Sequence, residues 1–158
     1  KVLGNFIMVK SDISLEELLI DINKSINEKI VGTNFLELLK FVLIEKFNNL
    51  TENDLKNLKL MPSDGKVLEK KLNLDNRKIT FKVEYFDKSV STIKQKIEND
   101  NLSIILEGYK SITIYDNNNH EKSMHSHLSK NMGIVLSLDT VITSKIGRKS
   151  IILSISNN

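Results

Sequence analysis

From Ser14 the apolar positions follow a helical rhythm: Leu15, Leu18, Leu19, Ile22, Ile26 and Ile30 recur every three or four residues, which gathers them on one face. Ser14 and Glu17 have the spacing of a capping box, Ile13 and Leu18 that of a hydrophobic staple, and Gly32 supplies a stop. A second helix is expected from Asn34, with Glu37 three residues on. Phe35, Leu36, Leu38, Leu39, Val42, Leu43 and Phe47 spread around most of its circumference, so it has to be covered on more than one side. A third, short helix is expected after Thr51, with Leu50 and Leu55 at staple positions, ending before Met61-Pro62-Ser63-Asp64-Gly65.

Beyond that turn-rich stretch the period falls to two. Ile79, Phe81, Val83 and Tyr85 alternate with Lys78, Thr80, Lys82 and Glu84, as in a strand with one buried face. Further short strands are expected at 89–97, 102–107, 109–115, 124–128, 133–136, 139–143 and 150–156, a series that reads as an antiparallel sandwich or small barrel. The organisation is therefore α+β, with a helical segment at 1–62 and a β-barrel at 66–158. About 60 residues of helix bury little apolar surface alone. The second helix needs either the sheet or a second chain to cover it, and the latter would make a homodimer through the helices.

Composition narrows the function classes. The 158 residues are 40% apolar and 27% charged, as in an ordinary folded domain. A net charge of +3, only two arginines (Arg77 and Arg148) and 6% aromatics give no basic, stacking-competent surface, so nucleic acid is not the expected partner. The absence of cysteine removes disulfides, thiolate nucleophiles and thiolate metal sites, and fits a cytoplasmic setting. No apolar stretch is long enough for a membrane span, and residues 1–10 hold too short an apolar run for a signal peptide. The sequence opens on Lys1 rather than Met and leaves open what precedes it.

The segment from Ser89 through Lys94-Gln95-Lys96, followed by Leu102 to Leu106, Glu107-Gly108 and the strand from Tyr109, resembles the first motif region of the cupin superfamily. There a strand carries His-x-His, an acid follows, and a glycine turn leads to the next strand. The second region resembles Met132-Gly133 through Thr143-Ser144, with 150–156 as the following strand. The resemblance, over 67–156, implies a double-stranded β-helix with Lys94 and Lys96 at the two histidine positions, Asn101 at the acid and Ser144 at the third histidine. Two ammonium groups beside a divalent ion would repel it, by ~4 kcal/mol per unit-charge pair at about 4 Å and an effective dielectric near 20. No metal and no cofactor are therefore expected there. The resemblance implies instead a small anionic or sugar-like ligand near Lys94, Lys96, Asn101, Ser144 and Tyr85. If the two lysines point outward, they form a solvated face.

Other chemistry is thinner. His125-Ser126-His127 could present two imidazoles on one side of a strand, with His120 or Glu121 as a third metal ligand, although the polar loop before them favours surface histidines. Glu84, Glu98 and Glu107, with Tyr85, Tyr109 and Tyr115, are candidate proton carriers that no spacing pairs. Phosphate-loop, dinucleotide, nucleophile-elbow and zinc-protease motifs are absent. Three roles follow: a metal-free binding domain in an accessory or sensory role, a cupin-type isomerase or epimerase of nucleotide sugars, or an interaction protein acting through its helices.

Overall fold

The computed structural model describes residues 14–51, 53–54, 67–74, 76–116 and 121–158. Ile13, the body of the third helix, the turn at Met61-Pro62-Ser63-Asp64-Gly65 and His120 lie outside the described residues. At the start of that helix, Asp54 N–H donates to Thr51 Oγ1 at 3.1 Å and Thr51 N–H to Asp54 Oδ2 at 3.0 Å, a reciprocal cap.

Helix α1 (Leu15–Ser25) starts where the capping pattern puts it, with Glu17 N–H donating to Ser14 Oγ at 3.2 Å, and buries Leu15, Leu19 and Ile22. It ends seven residues before Gly32. Ser25 Oγ donates to Ile22 O at 2.7 Å, and Ile26 is already extended. The cause lies outside the helix, at the first residue of a distant strand. Arg77 donates to Asn23 Oδ1 (2.6 Å), Asn27 O (2.8 Å) and Ile30 O (2.7 Å), with its guanidinium 4.2 Å above the Phe35 ring. Those carbonyls satisfy a buried cation only if the chain leaves the helix.

Gly32 opens α2 (Gly32–Asn48) instead of closing α1, at φ +61°, where a side chain would be strained. α2 buries Phe35, Leu36, Leu39, Leu43 and Phe47 and leaves Leu38 and Phe41 exposed.

The strands are β1 (Leu68–Leu74), β2 (Arg77–Phe86), β3 (Val90–Ser91), β4 (Gln95–Lys96), β5 (Asn101–Glu107), β6 (Tyr109–Tyr115), β7 (Ser123–Ser129), β8 (Gly133–Leu136), β9 (Val141–Ile146) and β10 (Ser150–Asn157). The first sheet runs β1-β2-β10-β5-β8; in the second, β9-β6-β7 is edged by β3 and β4, both on β9. All pairings are antiparallel. The expected barrel is thus two facing sheets that do not close on each other. The stretch 89–97 is two two-residue strands rather than one, and β1 is an additional strand. Only Leu72 and Leu74 of β1 are buried, and its lysine-rich first half gives no alternation, as suits an edge.

The first sheet is covered on both faces. The helices pack on one, against Ile79, Phe81 and Val83 of β2, Leu102 and Ile104 of β5, and Leu153 and Ile155 of β10. The second sheet packs on the other, where Ile105 and Ile152 meet Ile112, Leu128, Ile142 and Ile146. This is why β10 reads as a near-continuous apolar run and not an alternation.

Candidate functional site

Of the two faces of the first sheet, the one turned toward the second sheet is polar near its open edge. By register, Lys82 of β2 pairs with Ser154 of β10, which pairs with Ser103 of β5, so the three stand in one row. Glu84 lies two residues along from Lys82 on the same face, with 3.5 Å between its Oε1 and Lys82 Nζ. These side chains are 42% (Lys82) and 30% (Glu84) exposed, so the row opens to solvent at β2. It closes inward at Ser103, which is buried.

Lys110 reaches this row from the opposite sheet. The chain crosses between the sheets at Gly108, whose φ of +83° and packing against Ser150 leave no room for a Cβ, which would lie 2.7 Å from Ser150 Cα. Ser150 Oγ then fixes the corner, accepting from Tyr109 N–H at 3.1 Å and donating to Tyr109 O at 3.3 Å. With Tyr109 outward, alternation turns Lys110 inward with Ile112 and Ile114. Its Nζ donates to Ser103 Oγ at 3.3 Å. No carboxylate of the described residues lies within ion-pair distance of it. Burial pushes the Lys110 ammonium below its ordinary pKa, Lys82 lowers it further, and Glu84 opposes the shift. A half-buried cation with one neutral partner, a second cation nearby and hydroxyls on Ser103 and Ser154 can receive a small anion.

The residues singled out from the sequence do not converge. Lys94 stands on the outer face of the second sheet with its Nζ 4.1 Å from the centroid of the Tyr115 ring. Lys96 pairs in register with Val141 beside it and is exposed. Both lysines therefore point away from the space between the sheets, Lys96 because its partner Val141 alternates with the buried Ile142 and so faces outward. Ser144 is buried, but its hydroxyl meets Thr92 Oγ1 at 3.0 Å, and its N–H also donates to that atom at 3.0 Å, stitching the β3–β4 connection onto β9. Tyr85 packs on the helical side and donates to Asp87 Oδ1 at 3.3 Å; lost hydration and then Asp87 raise its pKa. Asn101 alone is near Lys110's row, two residues from Ser103 on the same face of β5.

The sequence did carry a signal for Lys110. In Tyr-Lys-Ser-Ile-Thr-Ile-Tyr, the lysine shares parity with the two isoleucines. Lys82 gave none, since its face of β2 reads as a solvated one until the second sheet is placed over it.

A cupin metal centre does not fit these residues. The four aligned positions hold Lys94, Lys96, Asn101 and Ser144, and among the described residues no three His, Asp or Glu side chains form a group able to hold a metal ion. His125 and His127 are exposed on the outer face of the second sheet, with Nδ1 2.9 Å from Thr113 Oγ1 and Ser111 Oγ respectively. The Tyr109 ring lies 5.3 Å from that of His127. Glu107 is exposed and pairs with Lys130 at 3.4 Å. An open cleft of about 390 Å³ beside Val31, Arg77 and Asn158 lies elsewhere, where both terminal nitrogens of Arg77 are spent on the helical turn and its buried Nε has no partner. No described helix is long and apolar enough to cross a membrane.

Neither a protein-family model nor a curated protein matches the sequence. Solved structures do match in shape. A cupin superfamily protein from Desulfitobacterium hafniense is 18% identical over 61% of this chain and 82% of its own, with a TM-score of 0.43. The cupin domain of Drosophila melanogaster CENP-C is 13% identical over 57% of this chain and 70% of its own, with a TM-score of 0.42. A variant of oxalate decarboxylase from Bacillus subtilis is 8% identical over 62% of this chain and 26% of its own, with a TM-score of 0.50. With two described helices leading into two facing antiparallel sheets, the chain has the fold of the cupin superfamily.

Proposed function

We propose that this cupin domain binds a small carboxylate between its sheets, in an accessory or sensory role, with Lys110 and Lys82 as the recognising cations and Ser103 and Ser154 as hydroxyl partners. The observation that carries the reading is Lys110, a half-buried ammonium whose one hydrogen bond goes to a neutral hydroxyl at 3.3 Å. Removing a cation from water without a counter-charge is unfavourable, and a bound carboxylate reverses that cost while being held by charge-assisted hydrogen bonds. Glu84, tied to Lys82 at 3.5 Å, limits how much negative charge the edge accepts and favours a monoanion over a polyanion. The ligand position expected from Lys94 and Lys96 moves, in this reading, to the opposite side of the second sheet.

Titration calorimetry with the sodium salts of acetate, propionate, lactate, malonate and citrate tests it. A monocarboxylate should give a saturable heat with one site per chain. Lys110→Met should weaken that binding about tenfold or more, the loss expected of one charge-assisted hydrogen bond, and Lys94→Ala should leave it unchanged. If none of the acids binds, or Lys94→Ala abolishes the heat while Lys110→Met does not, the reading is overturned.

A further inference from the structure

We infer that His125 and His127 form a docking site for a late divalent transition cation, Cu2+ most tightly, on the outer face of the second sheet. The two residues stand two positions apart on β7, so they share one face with roughly 6.6 Å of backbone between them. That is near enough for both rings to lean onto one ion, each nitrogen at the ~2.0–2.1 Å of a metal–imidazole bond. Both histidines are exposed, and β7 pairs only with β6 among the described strands, so an ion reaches them from solvent.

What separates this pair from ordinary surface histidines is the layer behind it. β7 pairs with β6 so that His125 stands opposite Thr113 and His127 opposite Ser111. Each ring meets the hydroxyl of its partner through Nδ1 at 2.9 Å, the same contact made twice. With Nδ1–H donating to that hydroxyl, the lone pair lies on Nε2, the tautomer a metal takes, and both rings are held in matching fashion before an ion arrives. The Tyr109 ring, 5.3 Å from that of His127, restricts this imidazole further. The ligand set selects the ion. It offers two neutral imidazoles, no thiolate in the sequence and, among the described residues, no third His, Asp or Glu in the group. Imidazole suits Cu2+, Ni2+ and Zn2+, and affinity for a nitrogen site peaks at Cu2+, whereas Mg2+ and Ca2+ require oxygen ligands. Two lysines share this face. Lys94 is held over the Tyr115 ring, and Lys145 of β9 stands two strand spacings from His127, roughly 10 Å, beyond the screening length of about 8 Å at physiological salt. Water fills the remaining coordination positions, so the ion is exchangeable, and the site lies across the second sheet from Lys110.

Calorimetric titration of the untagged full chain with copper sulfate, at neutral pH in a buffer that does not coordinate copper, tests the site. One Cu2+ should bind per chain, electron paramagnetic resonance should show hyperfine splitting from two coordinated nitrogens, and magnesium chloride should give no heat. Thr113→Val keeps both imidazoles and removes one hydroxyl; it should still weaken Cu2+ binding about tenfold or more, the loss expected of an orienting partner. His125→Ala and His127→Ala should each cost at least as much, since each removes a ligand. Absence of a saturable heat overturns the site, as does binding that persists in the double variant His125→Ala/His127→Ala, which places the metal elsewhere. A spectrum with a single coordinated nitrogen refutes the pair. If Thr113→Val binds Cu2+ as tightly as the parent with unchanged circular dichroism, the hydroxyls orient nothing and the preset site is refuted.

Discussion

The buried Arg77 and the half-buried Lys110 are handled in opposite ways. Arg77 spends its guanidinium on Asn23 Oδ1, Asn27 O and Ile30 O and stacks over Phe35, so its charge is absorbed by structure. Burial lowers its pKa, against the pull of Glu28, and it remains a fixed cation. Lys110 has a hydroxyl, a neighbouring lysine and only the more distant pull of Glu84, so burial and Lys82 prevail and its charge is poorly compensated. Because its pKa is lower in the folded chain than in the unfolded one, the unfolded state holds the proton more tightly. Stability must then rise with pH from the folded pKa of Lys110 up to its unfolded value near 10.5. Urea midpoints of the parent and Lys110→Met, followed from pH 7 to 10, should show the parent gaining on the variant as pH rises. Two curves that stay parallel across this range would remove the shift.

At the level of elements, the corner between β5 and β6 decides whether Lys110 points inward. Gly108 takes a left-handed conformation with Ser150 packed against it, and a Cβ there would come within 2.1 Å of Ser150 Oγ. Gly108→Ala should therefore cost about 2–4 kcal/mol, combining backbone strain with displacement of β10, as read from urea denaturation. It should also weaken carboxylate binding, because Ser150 no longer fixes Tyr109 and with it the phase of β6. A variant as stable as the parent would show that the corner adapts and that the phase is set elsewhere. The same logic explains 89–97: of its apolar positions only Ile97 is buried while Val90 and Ile93 are exposed, so little imposes a continuous strand, and only four of its residues pair with β9.

For the molecule as a whole, the helices and the first sheet share one core. Ile79, Phe81, Val83, Leu102, Ile104, Leu153 and Ile155 are buried in the cluster that α1 and α2 complete with Leu19, Phe35, Leu36, Leu39 and Leu43. At ~1.5–3 kcal/mol for each large apolar side chain, uncovering that face removes more than a domain's usual net stability of about 5–15 kcal/mol. A fragment beginning at residue 66 should aggregate or lack a cooperative thermal transition in near-ultraviolet circular dichroism, whereas the full chain melts cooperatively. A monodisperse fragment with an intact melt would show that the strands form an independent unit.

The sequence by itself determined α1, α2 and most of the strands in their order, while it missed β1 and ran β3 and β4 together. Capping at Ser14, helical periodicity through Leu43 and Phe47, and alternation from Ile79 to Tyr85 are local signals, carried by residues a few positions apart and read by the nearest neighbours in the chain. Its cupin resemblance likewise followed strand rhythm. What it could not settle depends on which face meets which. The early end of α1 is imposed by Arg77, about 50 positions away, and the outward turn of Lys96 by its register against Val141 of β9. Lys82 and Lys110, 28 residues apart and on different sheets, become one site only when the sheets face each other. Parity along a strand says that a side chain shares a face with its second neighbour; only the tertiary structure says what lies opposite that face, and so whether a lysine there meets water or a ligand.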